Sequence, residues 1–197
     1  MGFQSLNKLF LDRVEDNLDK PFLWSKINKE WKSITWEETS KKVKEFSSGL
    51  KAHGIKPGDR VVIVSENRPE WIISDLAITM IGGITVPAYT TNTEDDHHYI
   101  LEHSGAKAVI TSNNILANRL ALATTRTKEC KILITIDNYN GFEPEGLNIL
   151  SFNEVNNFGK NTIENSTDHI DNIQPDDTSC IIYTSGTGAV SYTHLTL

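Results

Sequence analysis

Near the carboxyl end of this 197-residue chain an apolar run, Cys180-Ile181-Ile182-Tyr183, passes directly into Thr184-Ser185-Gly186-Thr187-Gly188. Hydroxyl residues and glycines in that order suit a loop that wraps a phosphate. Glycine lacks the Cβ that would hold the backbone away from a ligand. Successive N–H groups can then converge on an anion, and Ser and Thr hydroxyls add donors. The competing reading is a Ser/Thr/Gly turn at a strand end, which is common. No G-x-x-x-x-G-K-[ST] pattern is present, and Gly186 and Gly188 have no third glycine to complete G-x-G-x-x-G. On residue types alone, phosphate loop and turn both stay open.

Other groups could do chemistry, but each has a plainer reading. His97, His98 and His103, with Asp95 and Asp96, have the composition of a metal cluster. His98 and His103 are five apart, on different faces of a helix, so a polar helix surface is expected. Asn67-Arg68-Pro69 follows a strand. Asn67 is expected to cap the helix that starts at Pro69, with Arg68 solvated or paired. Trp24, Trp31, Trp36 and Trp71 read as core and hairpin packing. Lys41, Lys42 and Lys44, offset by Glu37, Glu38 and Glu45, read as a solvated helix face. Cys130 and Cys180 form no metal or redox motif and read as small buried thiols on strands.

The elements that must position the loop are legible from spacing. Leu6, Leu9, Phe10 and Val14 recur at helical intervals between Ser5 and Asn17. Phe22-Leu23-Trp24 and Trp31 to Ile34 are extended, with Asn28-Lys29 as the hairpin turn. Thr35 and Glu38 have capping-box spacing, and the helix that follows buries Val43, Phe46 and Leu50, with Gly54 just past its end. Val61 to Val64 is a continuous apolar run, expected to be a strand buried on both faces. Pro69 opens the next helix, and Ile84 to Pro87 is a strand. Thr93 and Asp96 cap a helix that Gly105 ends. Ala108 to Ile110, the helix from Asn113 to Arg126, and Ile132 to Ile136 continue the alternation. Residues 137–174 read as a long surface connection with one short helix. Thr178 to Tyr183 returns to the sheet, with the loop at its carboxyl end. The fold class expected is α/β: an open, mostly parallel sheet with helices on both faces and an N-terminal hairpin. Ligands of such sheets sit outside the carboxyl ends of the strands.

Composition sets the outer bounds. One domain with a sizeable core fits this length. A net charge of −7 disfavours nucleic acid as a partner. No window has the apolar length of a membrane span, and Met1-Gly2-Phe3-Gln4-Ser5 does not read as a signal peptide. A cytoplasmic location is the expectation.

Tyr183-Thr184-Ser185-Gly186-Thr187 resembles the start of the phosphate loop of AMP-forming acyl-CoA synthetases, in the adenylate-forming superfamily. There the loop reads Y-T-S-G-T-T-G-x-P-K-G. Upstream, Gly58-Asp59-Arg60-Val61-Val62-Ile63, Ser65-Glu66-Asn67-Arg68-Pro69-Glu70-Trp71, Asp75-Leu76-Ala77 and Val86-Pro87-Ala88-Tyr89 are similar to the long-chain fatty acid–CoA ligases, in the same order. The likeness runs from about Pro21 to Thr187. It implies an enzyme that uses ATP and Mg²⁺ to turn a fatty acid into acyl-AMP, then transfers the acyl group to coenzyme A. It implies that Thr184, Ser185, Gly186 and Thr187 bind the phosphates, and that the Thr184 hydroxyl helps position Mg²⁺. Tyr89 to Asn92 would lie near the nucleotide cleft without doing chemistry. Peripheral membrane contact by the full-length enzyme is compatible with the likeness.

Beyond Thr187 the pattern departs from the family: one threonine and the x-Pro-Lys-Gly segment are missing. Residues 1–188 are therefore expected to be a partial AMP-binding domain, and 189–197 a tail foreign to it, similar to translated sequencing adaptor. The catalytic residues implied by the likeness lie outside such a fragment, so it should be inactive and expose apolar sheet edges. An adenylate-forming ligase for another carboxylate and a non-catalytic remnant are the alternatives.

Overall fold

Residues 5–161, 167 and 169–184 are described by a computed structural model. Caps written in the sequence start most of the helices. Ser5 caps α1 (Leu6–Asn17), whose Phe10 and Val14 are buried. Reciprocal capping boxes start α2 (Trp36–Ala52) through Thr35 and Glu38, α4 (Glu94–Ser104) through Thr93 and Asp96, and α6 (Phe152–Lys160) through Ser151 and Glu154. Asn113 caps α5 (Asn114–Thr124), and Pro69 occupies the first turn of α3 (Pro69–Met80). Gly105 ends α4 at φ 62°, a left-handed conformation that a glycine adopts without strain.

Two sheets form. Strands β1 (Pro21–Ile27) and β2 (Glu30–Thr35) make an antiparallel hairpin. Its turn residues Asn28 and Lys29 have φ of 52° and 69°. The second sheet is parallel throughout, with β3 (Arg60–Val64), β4 (Ile84–Pro87), β5 (Ala108–Thr111), β6 (Ile132–Thr135) and β7 (Asn148–Ser151) in the order β4-β3-β5-β6-β7. A short 3-10 turn covers Ile170–Asn172.

Every residue of β3 from Val61 to Val64 is buried, as its unbroken apolar run requires. Val61 and Ile63 face one core with α1, α2, α3 and α6. Val62 and Val64 face the other, with α4 and α5. The expected α/β sheet with helices on both faces is therefore present. On the first face α2 and α6 pack very closely. Phe46 stacks on Phe152 with ring centroids 4.1 Å apart, and the buried Glu45 carboxylate accepts from Asn156 at 2.7 Å. Glycine permits this approach: a Cβ on Gly159 would overlap the Glu45 carbonyl, and one on Gly49 the Val155 carbonyl.

The stretch read as a surface connection contains a fifth sheet strand, β7, paired with β6, as well as its helix α6. Ile149-Leu150 alone was too short an apolar run to stand out, yet Leu150 packs into one core and Ile149 into the other. The tryptophans divide. Trp36 stacks on Phe22 at 3.7 Å, and Trp71 packs on the first core. Trp24 and Trp31 are exposed, at 54% and 66%, which corrects the expectation of packing for them. They sit on the face of the hairpin that turns away from Leu23 and Ile34, the pair that meets the core.

Candidate functional site at the carboxyl edge of the sheet

The segment that carries the candidate loop runs beside β4. The Thr85 N–H donates to the Ser179 carbonyl at 3.1 Å, and the Ile181 N–H to the Thr85 carbonyl at 3.0 Å. This is a single parallel bridge, Thr85 to Cys180. The sequence pointed to a strand from Thr178 to Tyr183; among the described residues only the bridge forms. Ile181, Ile182 and Tyr183 are half-buried, because no described strand covers the outer side of this segment. Its side chains still alternate. Ile181 and Tyr183 pack on the core that holds Val62, Val64 and Val86, while Cys180 and Ile182 turn to the α3 side.

α4 holds the end of the segment. The Tyr183 hydroxyl lies 2.8 Å from Nδ1 of His103. Tyr99, one turn earlier, stacks on His103 at 5.2 Å and meets Tyr183 edge-on at 6.0 Å. Burial raises the pKa of the Tyr183 phenol, Tyr99 adds to that, and the Ser104 hydroxyl opposes it. Thr184 follows and is exposed. Of the four phosphate-loop candidates the structure thus places Thr184, at the carboxyl edge next to β4. Ser185, Gly186 and Thr187 lie outside the described residues.

The strand order reverses between β3 and β5, and the crevice at their carboxyl ends is a second natural ligand position. Its mouth is already spanned by internal pairs. Asn113 donates to Glu66 at 3.0 Å. A hydrogen bond from Ser112 chiefly lowers the Glu66 pKa, with Arg68 and Asn113 adding to it against partial burial. Arg68 donates to Glu70 at 2.8 Å and to Asp137 at 3.0 Å. It is therefore paired, tying the loop after β3 to the end of β6. Arg68, not Asn67, is the N-cap of α3, and no side chain caps that helix; Pro69 at the first turn has already removed one donor that would need a cap. Tyr89 is 66% exposed at the end of β4.

A cavity of about 870 Å³ lies on the α3 side of the β4 flank, between the start of α1, β4 and residues 169–182, and reaches Gly58, Gly82 and Gly83 at the amino ends of β3 and β4. Leu6, Leu9, Trp71 and Ile182 make its apolar wall, with Asp75 and Asp177 among its polar groups. Burial pushes the Asp75 carboxyl up, with the nearby Thr85 side chain opposing. Among the described residues no lysine or arginine lines the cavity. A triphosphate would meet the Asp75 and Asp177 carboxylates there, with His169 as the one imidazole and no lysine or arginine to offset them, so the cavity does not suit the nucleotide.

The histidines are not one polar surface. His97 is 1% exposed, and neither of its ring nitrogens has a hydrogen-bond partner. Burial, with Arg119 nearby, lowers its pKa to about 4, against the opposing pull of Asp96. Sequence spacing missed this, because His97 sits in the polar first turn of α4 yet points toward α5. Among the described residues no three His, Cys, Asp or Glu side chains group so as to hold a metal ion, and no described helix is long and apolar enough to cross a membrane. Cys130 is buried and Cys180 half-buried; Cys130 precedes β6, and Cys180 lies on the bridge, so neither lies within a strand as expected.

Comparison with known proteins identifies the frame. A family model described as AMP-binding enzyme matches residues 10–190. The long-chain-fatty-acid–CoA ligase FadD15 of Mycobacterium tuberculosis is 30% identical over 113 residues, covering 57% of this chain and 19% of that protein. The chloroplastic long-chain-fatty-acid–[acyl-carrier-protein] ligase AEE15 of Arabidopsis thaliana is 27% identical over 164 residues, 78% of this chain and 23% of that protein. The chain thus spans about a fifth of the length of these relatives. The fold matches the solved structure of the anthranilate CoA ligase AuaEII in complex with anthranoyl-AMP with a TM-score of 0.78, at 20% identity, over 97% of this chain and 34% of that one. Its neighbours are thus ligases of fatty acids and of other acids.

Proposed function

Because the chain belongs to the AMP-binding enzyme family, we propose that it is the amino-terminal part of an adenylation domain whose complete form activates a long-chain fatty acid for transfer to coenzyme A. The observation that carries this reading is the sequence Tyr183-Thr184-Ser185-Gly186-Thr187, within the family match, led into by a segment that bridges β4 at Cys180. The ligases of long-chain fatty acids among its relatives favour that substrate class.

In the complete enzyme a carboxylate oxygen attacks the α-phosphorus of ATP and pyrophosphate leaves. The sulfur of coenzyme A then attacks the acyl carbon and AMP leaves. The charge that gathers on the phosphates must be held by fixed donors. We assign that work to the backbone N–H groups of Ser185, Gly186 and Thr187 and to the Thr184 hydroxyl. Thr184 is exposed and stands beyond a Tyr183 gripped by α4, so it suits a ligand that approaches from outside the sheet. Mg²⁺, when bound, would neutralise the phosphates, with Thr184 as its contact in this chain. By itself the 197-residue chain carries the first phosphate contacts only and is expected to be inactive.

The test is a panel of acids. The protein read from its source DNA through and beyond the codon for Thr187 is given ATP, Mg²⁺ and coenzyme A with palmitate, oleate, acetate or anthranilate, and thioester is measured. Preference for palmitate or oleate supports the proposal. Preference for anthranilate or acetate returns the chain to another branch of the family. The 197-residue chain should release no pyrophosphate above blank in the same mixture.

A further inference from the structure

The cavity on the α3 side of β4 has polar groups that no reactant of the proposed adenylation suits. Side chains alternate along β4. Val86 packs into the core with Val62 and Val64, so Thr85 turns to the opposite face, where it lines the cavity together with Asp75 of α3. The Thr85 N–H and carbonyl are committed to the bridge with residues 179 and 181. Its hydroxyl is not. Thr85 is 1% exposed, and its side-chain oxygen has no hydrogen-bond partner among the described residues. A buried polar atom left in that condition costs free energy and calls for a partner.

The facing wall is apolar and wet. Leu6 and Leu9 are 51% and 41% exposed, although Phe10 and Val14 on the same helix are buried. Trp71 and Ile182 extend that wall. The volume, about 870 Å³, lies within the roughly 300–1,000 Å³ of small-molecule sites.

Charge decides the class of ligand. Asp177 already accepts from the Gln174 N–H at 2.8 Å, which leaves Asp75 as the carboxyl open to a partner. No ion pair reaches Asp75 among the described residues. ATP, a fatty acid and coenzyme A are all anions and would bring like charge to it. An ammonium group offers three donors and no acceptor, which matches a carboxylate beside an unpartnered hydroxyl oxygen. We propose that this cavity binds an organic ammonium ion with an apolar body, its charged end on Asp75 and Thr85 and its body against Leu6, Leu9, Trp71 and Ile182. The site is separate from the Thr184 loop and does not depend on which acid the enzyme activates.

The experiment is calorimetric titration of the 197-residue chain with three probes of one length, n-octylammonium, 1-octanol and octanoate, each kept below its micellar concentration. Asp75→Asn and Thr85→Val are titrated beside it, with circular dichroism to check their folds, and so is the protein read through and beyond the codon for Thr187. The unaltered chain should bind octylammonium about tenfold more tightly than octanol, with octanoate weakest. Asp75→Asn should erase that preference. Thr85→Val should weaken binding severalfold while its Tm stays level or rises, because no hydrogen bond within the protein is lost. The Trp71 indole N–H signal, identified by its absence in Trp71→Phe, should shift on titration with octylammonium. Should Asp75→Asn fail to fold, Thr85→Val and the Trp71 signal decide the matter. No binding of octylammonium overturns the proposal, as does equal binding by the folded variants. Tighter binding of octanoate overturns it too and makes the cavity an acyl site. Binding by the 197-residue chain that the longer protein lacks also overturns it, since the protein's own chain then fills the cavity.

Discussion

The Tyr183 hydroxyl and Nδ1 of His103 are 2.8 Å apart, joining residues 80 positions distant in the chain. The segment that leads to Thr184 therefore does not rest on its one bridge to β4 alone. It is held from the α4 side by a hydrogen bond and two ring contacts, with Tyr99 against both partners. A candidate phosphate loop gains from a fixed entry, because donors held in place need no reorganisation when charge arrives.

Removing the phenol oxygen should loosen that entry without unfolding the domain. In Tyr183→Phe the ring contacts with Tyr99 and His103 remain and only the hydrogen bond goes. The expected loss is about 1 kcal/mol, or a Tm lower by about 2–4 °C. Amide exchange at Tyr183 and Thr184, followed by NMR, should quicken while exchange in β3 stays as it was. Unchanged exchange at both positions would mean that the tether does no positioning.

His97 makes stability depend on pH in a stated direction. Its ordinary value is 6.5, and burial with the nearby Arg119 lowers it to about 4 in the fold, with Asp96 opposing. As pH falls through 6.5 the unfolded chain takes up a proton that the folded chain refuses until about pH 4. The unfolded state then binds more protons, so stability falls as pH falls across this window. The contribution reaches roughly 3 kcal/mol at the acid end. His97→Leu should flatten the curve of Tm against pH between those limits. An equal slope in the variant would assign the acid sensitivity to other groups.

How much of this was written in the sequence depends on what each signal measures. The Thr35/Glu38 and Thr93/Asp96 caps, the Asn28-Lys29 turn and the apolar run Val61–Val64 report local geometry, and each appears where its residues place it. Ser151 and Glu154 carry the same capping signal, but it was submerged in a polar stretch, and β7 beside it is only four residues long. Burial that depends on a partner was not legible. His97 turned inward because α5 packs over the first turn of α4, and Trp24 turned outward because the hairpin register puts it opposite Ser33. The site behaves the same way. The Thr184 loop was legible as a motif, whereas the His103–Tyr183 contact joins two residues whose pairing only the fold reveals.

The α2–α6 contact gives a sharper mechanical test. A methyl at Gly159 would collide with the Glu45 carbonyl, which is backbone and cannot rotate away. Gly159→Ala should force the helices apart, strain the Asn156–Glu45 bond and cost about 2–3 kcal/mol. Thermal melting should show a Tm lower by about 5–10 °C. A Tm equal to that of the unaltered protein would refute the close helix contact.

The two thiols should react at very different rates. Burial pushes the Cys130 thiol up to about 12, so thiolate is scarce as well as shielded. Cys180 is half-buried on the sheet edge. Ellman's reagent should modify one thiol quickly in the native protein and the second only after denaturant is added. Cys180→Ser should abolish the fast phase; a fast phase that survives it would contradict the burial of Cys130.

The central claim is that the loop from Thr184 to Thr187 grips the phosphates of ATP during activation of a long-chain acid. The most direct measurement is oleate-dependent exchange of labelled pyrophosphate into ATP, by the protein read through and beyond Thr187, with Thr184→Ala beside it. The account predicts exchange that requires oleate and Mg²⁺ and falls by about a hundredfold in the variant. Exchange that is equal in both proteins, or that oleate does not support, would contradict it.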